Sequence, residues 1–313
     1  GRIQNGLTRI KNGQSTIYSV AQDSTRRTLI DDHINALTAD KMNNLWIATD
    51  GGLQVYNPRT DQFSSYTREN GKIRVNNITS LYYAKGNKML IGTSEGLIIL
   101  NISTSEMKYL TGNSTNLSKF TNNYVTQVFE DSRGLIWVGT REGVNIYNPE
   151  NDILDYLTEK NGLCNNNICG FAEDKNKNVW ISTSNGLCRI VTQRNHEDGT
   201  YNFGLYNYTH ADGLQSDEFN RGAMMVNNDG NVYFGGLNGI NWVRKRTADE
   251  TESLPRVMLT QFFIGEEEIF TGHAYDGNVP LQQSLNESSR IELNSDQNTF
   301  TIKFAAGNYN QSE

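Results

Sequence analysis

The sequence is short of the residues that most often carry chemistry or cross-links. Cysteine occurs only three times, an odd number that excludes a fully paired disulfide framework. Cys169 and Cys188 fall on strands expected to lie two apart in one sheet, roughly 9–10 Å, whereas a bridge needs Cα atoms within about 7 Å. The role expected for Cys164, Cys169 and Cys188 is that of small buried hydrophobes. The four histidines, His33, His196, His210 and His273, are scattered without zinc-ligand spacing, which favours surface or turn positions. Basic residues are outnumbered, 28 against 35, and the net charge of −7 argues against general binding to nucleic-acid phosphates. No run approaches the roughly 18 apolar residues of a membrane-spanning helix. There is no Gly-x-Ser-x-Gly elbow and no phosphate loop in a strand-to-helix setting. Proline is scarce at 4 residues, while glycine reaches 28 and asparagine is the commonest residue. That combination suggests many tight turns.

Only 36% of residues are hydrophobic and the mean hydropathy is −0.60. Such values border on those of disordered chains, but 10% aromatics and a long-range regularity indicate a folded chain. The length of 313 residues allows one large or two smaller domains.

The regularity is a repeat. Five segments align without gaps: Leu45–Leu53, Leu90–Leu97, Ile136–Val144, Val179–Leu187 and Val232–Ile240. Their anchors are Trp46, Leu90, Trp137, Trp180 and Tyr233, each followed six positions later by Gly52, Gly96, Gly143, Gly186 or Gly239. The anchors recur every forty-odd residues, with a longer last interval that a longer hairpin in the fourth repeat explains. Short alternating strands at that period are the signature of propeller blades. In the first full repeat, strands are expected at Ile34–Thr38, Leu45–Thr49, Leu53–Tyr56 and Phe63–Tyr66. Asp50-Gly51-Gly52 forms the central hairpin, where glycine supplies a positive φ. The fifth repeat shows three strands and no clear fourth. At the other end, Gly6-Leu7 matches the glycine slot of the repeat, so the chain is expected to enter inside a blade. The fold class expected is all-β: five near-complete propeller repeats and a partial first blade over 1–246, a charged linker at 247–254, and an incomplete Ig-like β-sandwich over 255–313. In that last part strands are expected at Arg256–Ile264, Ile269–Phe270, Arg290–Leu293 and Thr299–Phe304.

The run Glu130-Asp131-Ser132-Arg133-Gly134-Leu135-Ile136-Trp137-Val138-Gly139-Thr140-Arg141-Glu142-Gly143-Val144, closing on Tyr147-Asn148-Pro149, resembles the two-component-regulator propeller repeat. The segment Pro255–Glu313, with Asn298–Ala306, looks like the start of the tyrosine-rich β-sandwich that follows such propellers. This resemblance covers nearly the whole chain. It implies the periplasmic sensor half of a Bacteroidetes hybrid two-component system: an oligosaccharide ligand, a homodimer, a membrane tether in the full-length protein, and no direct nucleic-acid contact. Family propellers often come in two sets of seven blades, and this sequence departs from that count.

Asp131-Ser132-Arg133-Gly134, Asp174–Asn178 and Asn227–Asn231 tempt a calcium reading, but none completes a Ca²⁺ loop, and their recurrence at one blade position fits a turn. No metal, cofactor or catalytic residue is expected. Trp46, Trp137 and Trp180 share one slot with Leu90, which favours inter-blade packing over sugar stacking. The repeat glycines Gly52, Gly96, Gly143 and Gly186 are read as structural in the same way. Ligand contact is better sought in the connections that lead from each outer strand to the next inner strand: Asn76-Asn77, Asn122–Tyr124, Asn165–Asn167 and Ser216–Arg221. The competing reading is that the asparagines cap turns. The candidate ligand residues are Tyr124, Arg141, Asn166, Glu218, Phe219 and Arg221. Arg141 stands where other repeats have Asp50, Ser94 and Ser184.

The function expected is a non-enzymatic extracytoplasmic sensor. A propeller lyase of the streptogramin-inactivating type would need a channel-facing histidine, for which only His33 is a candidate. A WD-type interaction scaffold would need Gly-His and Trp-Asp signatures that are missing.

Overall fold

The computed structural model describes residues 6–20, 29–112, 120–195, 199–243, 256–288, 290–295 and 297–307. The expected linker and His196 lie outside these residues. The chain divides into two compact units, residues 1–245 and 246–313.

The first unit is a series of antiparallel sheets in sequence order. A two-stranded fragment, β1 (Leu7–Lys11) and β2 (Gln14–Tyr18), comes first. Four complete blades follow. Blade one is β3 (Ile34–Ala39), β4 (Leu45–Thr49), β5 (Gly52–Asn57) and β6 (Gln62–Tyr66). Blade two is β7 (Ile78–Ala84), β8 (Lys88–Thr93), β9 (Gly96–Asn101) and β10 (Met107–Leu110). Blade three is β11 (Val125–Glu130), β12 (Ile136–Thr140), β13 (Gly143–Asn148) and β14 (Ile153–Leu157). Blade four is β15 (Ile168–Glu173), β16 (Val179–Thr183), β17 (Leu187–Arg194) and β18 (Tyr201–Tyr208). Blade five has three strands among the described residues, β19 (Phe219–Val226), β20 (Val232–Gly236) and β21 (Gly239–Val243).

Each layer between blades has its own core. Trp46, Ala48 and Leu53 of blade one pack with Ile78, Met89 and Ile91 of blade two. Leu90 and Leu97 pack with Val128, Val138 and Tyr147 of blade three. Trp137 and Val144 pack with Ile181, Cys188 and Ile190 of blade four, and Trp180 and Leu187 with Phe219 and Phe234 of blade five. The anchors of the first four repeats therefore face the next blade, and Trp137 is completely buried there.

The acidic turns between the first and second strands have a specific partner. The side chain of Asp131 accepts the indole N–H of Trp137 at 3.0 Å and the amides of Arg133 and Leu135 at 2.9 and 3.1 Å. Asp40 does the same for Trp46 (3.0 Å), and Asp174 for Trp180 (2.9 Å). A buried indole N–H needs an acceptor, and the carboxylate six positions earlier supplies it. Where blade two has Leu90, that earlier position is Ala84. Where blade five has Tyr233, it is Asn227, whose amide meets the tyrosine hydroxyl at 3.5 Å.

The hairpin after each second strand is locked in a second way. Thr49, Thr93, Thr140 and Thr183 donate to the carbonyls of Gly52, Gly96, Gly143 and Gly186 at 2.7–2.9 Å. Gly143 has φ +116°, and a Cβ there would lie 2.5 Å from the carbonyl oxygen of Leu157 at the end of the fourth strand. Only glycine meets both demands.

The second unit is a three-stranded sheet in which β22 (Arg256–Ile264) lies between β23 (Glu267–Glu268) and β24 (Phe300–Gly307). Phe262, Ile264, Ile269 and Leu281 form its core, with Ile291 and Leu293 packed against them. The expected strand Arg290–Leu293 is not one: its alternating apolar residues reach the core from irregular backbone with no ladder partner. The short strand expected at Ile269–Phe270 lies two residues earlier, at Glu267–Glu268. A bulge in β22 between Leu259 and Gln261 is filled by Asn286, whose amide exchanges two 2.8 Å bonds with the backbone of Leu259.

Candidate functional site

In every blade the first residue of the inner strand pairs with the end of the second strand: Ile34 with Thr49, Ile78 with Thr93, Val125 with Thr140, Ile168 with Thr183, and Phe219 with Gly236. The residue just before the inner strand and the residue just after the second strand therefore flank one ladder pair, at the same end of every sheet. These two slots meet in each blade, and they hold four different residue pairs across the five blades.

In blade one the slots hold His33 and Asp50, with Nδ1 to carboxylate 2.6 Å and both side chains about two-fifths exposed, 42% and 38%. Asp50 also accepts from Asn35 at 2.8 Å and from Asn77 at 3.0 Å. In blade two they hold Asn77 and Ser94, joined through the backbone at 3.2 Å. Blade three places Tyr124 against Arg141, whose guanidinium carbon is 4.0 Å from the ring centroid. That is within the range of a cation–π contact. Blade four pairs the amide of Asn167 with the Ser184 hydroxyl at 2.5 Å. In blade five the slots are Glu218 and Leu237, joined through the backbone at 3.4 Å. The result is a rim of amide, hydroxyl, imidazole, carboxylate, guanidinium and phenol groups, held on rigid strand ends. Planar polar groups and an aromatic face are what a polyhydroxylated ligand engages.

Three of the six residues expected from sequence, Tyr124, Arg141 and Glu218, fall in these slots. Arg221 lies nearby on an oversized bulge of β19. The other inner strands bulge after their first residue, whereas in β19 the register breaks between Phe219 and Met224. The bulge carries Arg221 and Gly222 outward, and a Cβ at Gly222 would lie 3.7 Å from the side-chain nitrogen of Gln127 on the third blade's inner strand.

The remaining two have other work. Phe219 is 3% exposed and sits edge-on to Phe234, 6.2 Å between centroids, inside the core between blades four and five. It offers no ring face to a ligand. The carbonyl of the Asn166 side chain accepts the amide of Glu159 at 2.8 Å. Asn76 and Asp217 make the same bond to Arg68 and His210 in their own connections. The turn role is therefore the one the structure gives Asn166. Sequence reasoning placed Asn77 and Asn167 in the connections where ligand contact is sought without naming them as candidate residues, considered His33 only for a lyase, and did not select Asp50 or Ser184. The signal that finds them is register: one position before the inner strand and two before the repeat glycine.

Among the described residues, no three His, Cys, Asp or Glu side chains cluster so as to hold a metal ion. Beside the His33–Asp50 pair, the carboxylate of Asp31 accepts the backbone amide of His33 at 2.7 Å. Among the same residues no helix is long and apolar enough to cross a membrane.

Residues 119–142 and 162–185 match the two-component regulator propeller family. Histidine kinase P4 of Formosa agariphila is 26% identical over 321 aligned positions, which cover 85% of this chain and 22% of the kinase. The extracellular domain of a hybrid two-component system from B. thetaiotaomicron superposes with a TM-score of 0.52 at 20% identity, over 96% of this chain and 44% of that one. Virginiamycin B lyase from Staphylococcus aureus, in its catalytically inactive form with quinupristin, gives a TM-score of 0.53 at 8% identity, over 77% of this chain and 78% of the lyase. The chain thus spans less than half the length of the kinase and of the extracellular domain, and the likeness to the two solved structures is one of fold. Fold, period and matched segments agree: the chain is an all-β array of propeller blades, two segments of which match the two-component-regulator repeat.

Proposed function

We propose that this chain is part of the extracytoplasmic ligand-sensing region of a hybrid two-component signalling protein, and that the rim of paired slots recognises an oligosaccharide. The observation that carries the reading is the rim itself: one geometry repeated in five blades with four different residue pairs, on a chain with segments that match the two-component-regulator repeat. A rigid frame with variable contact groups is how repeat proteins specify a ligand. Tyr124 is covered on one face by Arg141, so the pair offers a guanidinium edge before it offers a stacking face. That arrangement suits an acidic sugar or a hydroxyl-rich one. The second unit then begins the β-sandwich that connects the propeller to a membrane tether, and the periplasm is the compartment. Ligand binding signals to a transmembrane histidine kinase by favouring one dimer geometry over another, which requires tighter binding to that geometry.

The test is an oligosaccharide array probed with the intact extracytoplasmic region, followed by calorimetry on the hits. Arg141→Ala and Asp50→Ala are expected to weaken binding about tenfold or more, the loss of roughly 1.4 kcal/mol, with folding unchanged. Light scattering with and without the sugar reads the dimer. Absence of affinity for any oligosaccharide overturns the ligand class. Undiminished affinity in both slot variants overturns the location.

The lyase reading has a weaker basis: among the described residues no three His, Cys, Asp or Glu side chains cluster as a metal site beside His33 and Asp50.

A further inference from the structure

Blades two and three flank a groove at the opposite end of the sheets from the slots. In blade two Lys88 begins β8 and pairs with Asn101, whereas Thr93, next to the slot residue Ser94, ends it. Ile99, Asn101 and Lys88 of blade two face Ile136, Tyr147 and Pro149 of blade three around a cavity of about 340 Å³. The following groove, between blades three and four, is built from the same positions one blade on. Counted from the anchors Leu90 and Trp137, Lys88, Ile99 and Asn101 correspond to Leu135, Ile146 and Asn148. Through the ladders to the outer strands, Glu106 and Lys108 correspond to Ile153 and Asp155. All five of these blade-three residues line the second groove, yet only about 10 Å³ of it is open. Its other wall is the long hairpin of blade four, with Tyr201 and Phe203. The β17–β18 ladder carries that hairpin three pairs beyond the point where the β13–β14 ladder stops, from Thr192 with Phe203 to Arg194 with Tyr201. Blade three has no such extension, and the groove it shares with blade two stays open.

We propose that the groove between blades two and three is a second binding site, for a small aromatic carboxylate. The ring takes the place that Tyr201 and Phe203 fill one blade on, and the carboxylate meets Lys88. The chain's own packing is the precedent for the ring. In the filled groove Tyr201 and Phe203 pack against the inter-blade core, and Phe203 sits edge-on to Trp137 at 5.8 Å. In the open groove the apolar wall is Ile99, Ile136, Tyr147 and Pro149. The Tyr147 hydroxyl is already bonded to Asp152 at 2.6 Å, so its ring serves as wall and not as a donor. A concave apolar wall with a few placed polar groups, enclosing roughly 300–1,000 Å³, is the usual form of a small-molecule site.

The charge follows from what differs between the two grooves. Lys88 stands where the filled groove has Leu135. Among the described residues its ammonium has no ion-pair or hydrogen-bond partner. The neighbouring charges are engaged. Lys108 donates to the Tyr147 hydroxyl at 2.7 Å and to Asp152 at 2.6 Å, and the exposed Glu106 accepts the Thr104 hydroxyl at 2.8 Å. The side-chain oxygen of Asn101 accepts the amides of Ser103 and Thr104 at 3.0 and 3.3 Å, which leaves its nitrogen to donate. An ammonium and an amide nitrogen both donate, so together they select an anionic acceptor through charge-assisted hydrogen bonds. The site does not rest on which ligand the rim takes.

The experiment is an NMR titration of the full chain with phenylpropionate and, as the uncharged control, phenylpropionamide. The acid is expected to saturate a single site with a Kd below about 1 mM. The amide should bind about fivefold more weakly, the scale of a partly exposed ion pair. Lys88→Met keeps the apolar stem and removes the charge; it should bring the acid to the affinity of the amide and leave the amide unchanged. Ile99→Trp fills the groove and should abolish binding of both. If that variant does not fold, nuclear Overhauser contacts from the ligand ring to the methyls of Ile99 and Ile136 locate the site in the wild type. Absence of saturable binding, equal affinity of acid and amide in the wild type, undiminished binding in Ile99→Trp, or ring contacts away from Ile99 and Ile136 each overturn the proposal.

Discussion

Blades three and five share one repeat pattern and use it differently. In blade three, Asp131 is 1% exposed, holds the Trp137 indole and two turn amides, and carries Arg133 at 2.8 Å. Thr140 closes the hairpin onto Gly143, which lies against the carbonyl of Leu157. In blade five the anchor is Tyr233, the acid is Asn227, the threonine position is Gly236, and a Cβ on Gly239 would touch nothing within 4 Å. Trp242 and Ile240 beside it are 53% and 68% exposed. The comparison shows that the repeat is written in couples. Acid goes with indole, and glycine is sterically required where a fourth strand brings its carbonyl close. Where one member changes, its partner changes or loses its purpose.

Substitutions that split the couples give the largest effects. Asp131→Ala strands a buried indole N–H and two turn amides, and each unsatisfied buried group costs about 1–3 kcal/mol. A loss of about 3 kcal/mol in denaturant unfolding is expected, whereas Asn227→Ala, in the more open fifth blade, should lose under about 1 kcal/mol. Equal losses would show that the indole bond is not what distinguishes the blades. Gly143→Ala should come next, at about 2 kcal/mol, from a strained φ and a clash with the Leu157 carbonyl. Gly239→Ala, with φ +134° but open space, carries only the conformational part and should lose about half as much. Glycine positions that respond alike would mean that backbone strain alone, and not the fourth strand, sets the requirement.

The smallest effect is in pH. Burial raises the pKa of Asp40, but hydrogen bonds from Trp46, Asn44 and Met42 outweigh it, and the net position is below the ordinary carboxylate value. A carboxylate lowered in the folded state contributes stability that is complete above its unfolded pKa of about 3.9 and disappears as pH falls through the folded value. The melting temperature of the wild type should therefore drop more steeply below about pH 4 than that of Asp40→Asn. Parallel profiles would remove Asp40 from the acid response.

Much of the blade architecture could be read from the sequence, because period-two alternation and the recurring glycine report directly on a pleated sheet and a tight hairpin. β4 and β22 match the expected strands residue for residue, and β3, β5 and β6 differ by one residue at the ends. The acid–indole couple was not read, because its members are six residues apart and meet only once the turn folds back. The acidic turns were therefore explained by turn chemistry alone. Half of the expected ligand residues lie in the paired slots. Phe219 and Asn166 do not, because composition cannot tell an aromatic that points into an inter-blade layer from one that points out, nor an asparagine on the rim from one that caps a turn. Arg290–Leu293 shows a different limit: alternation records which side chains are buried, but not whether a neighbouring strand is there to pair with.

The two slots of each blade have one further consequence. A blade folds through its indole, its threonine and its glycine, none of which occupies a slot. His33, Asn77, Tyr124, Asn167 and Glu218 succeed one another at a single structural address while the strand beside them stays the same. Substitution there alters what the rim displays and asks little of the layers beneath. The chain behaves like a lock barrel cut once, in which each pin can be filed to its own height.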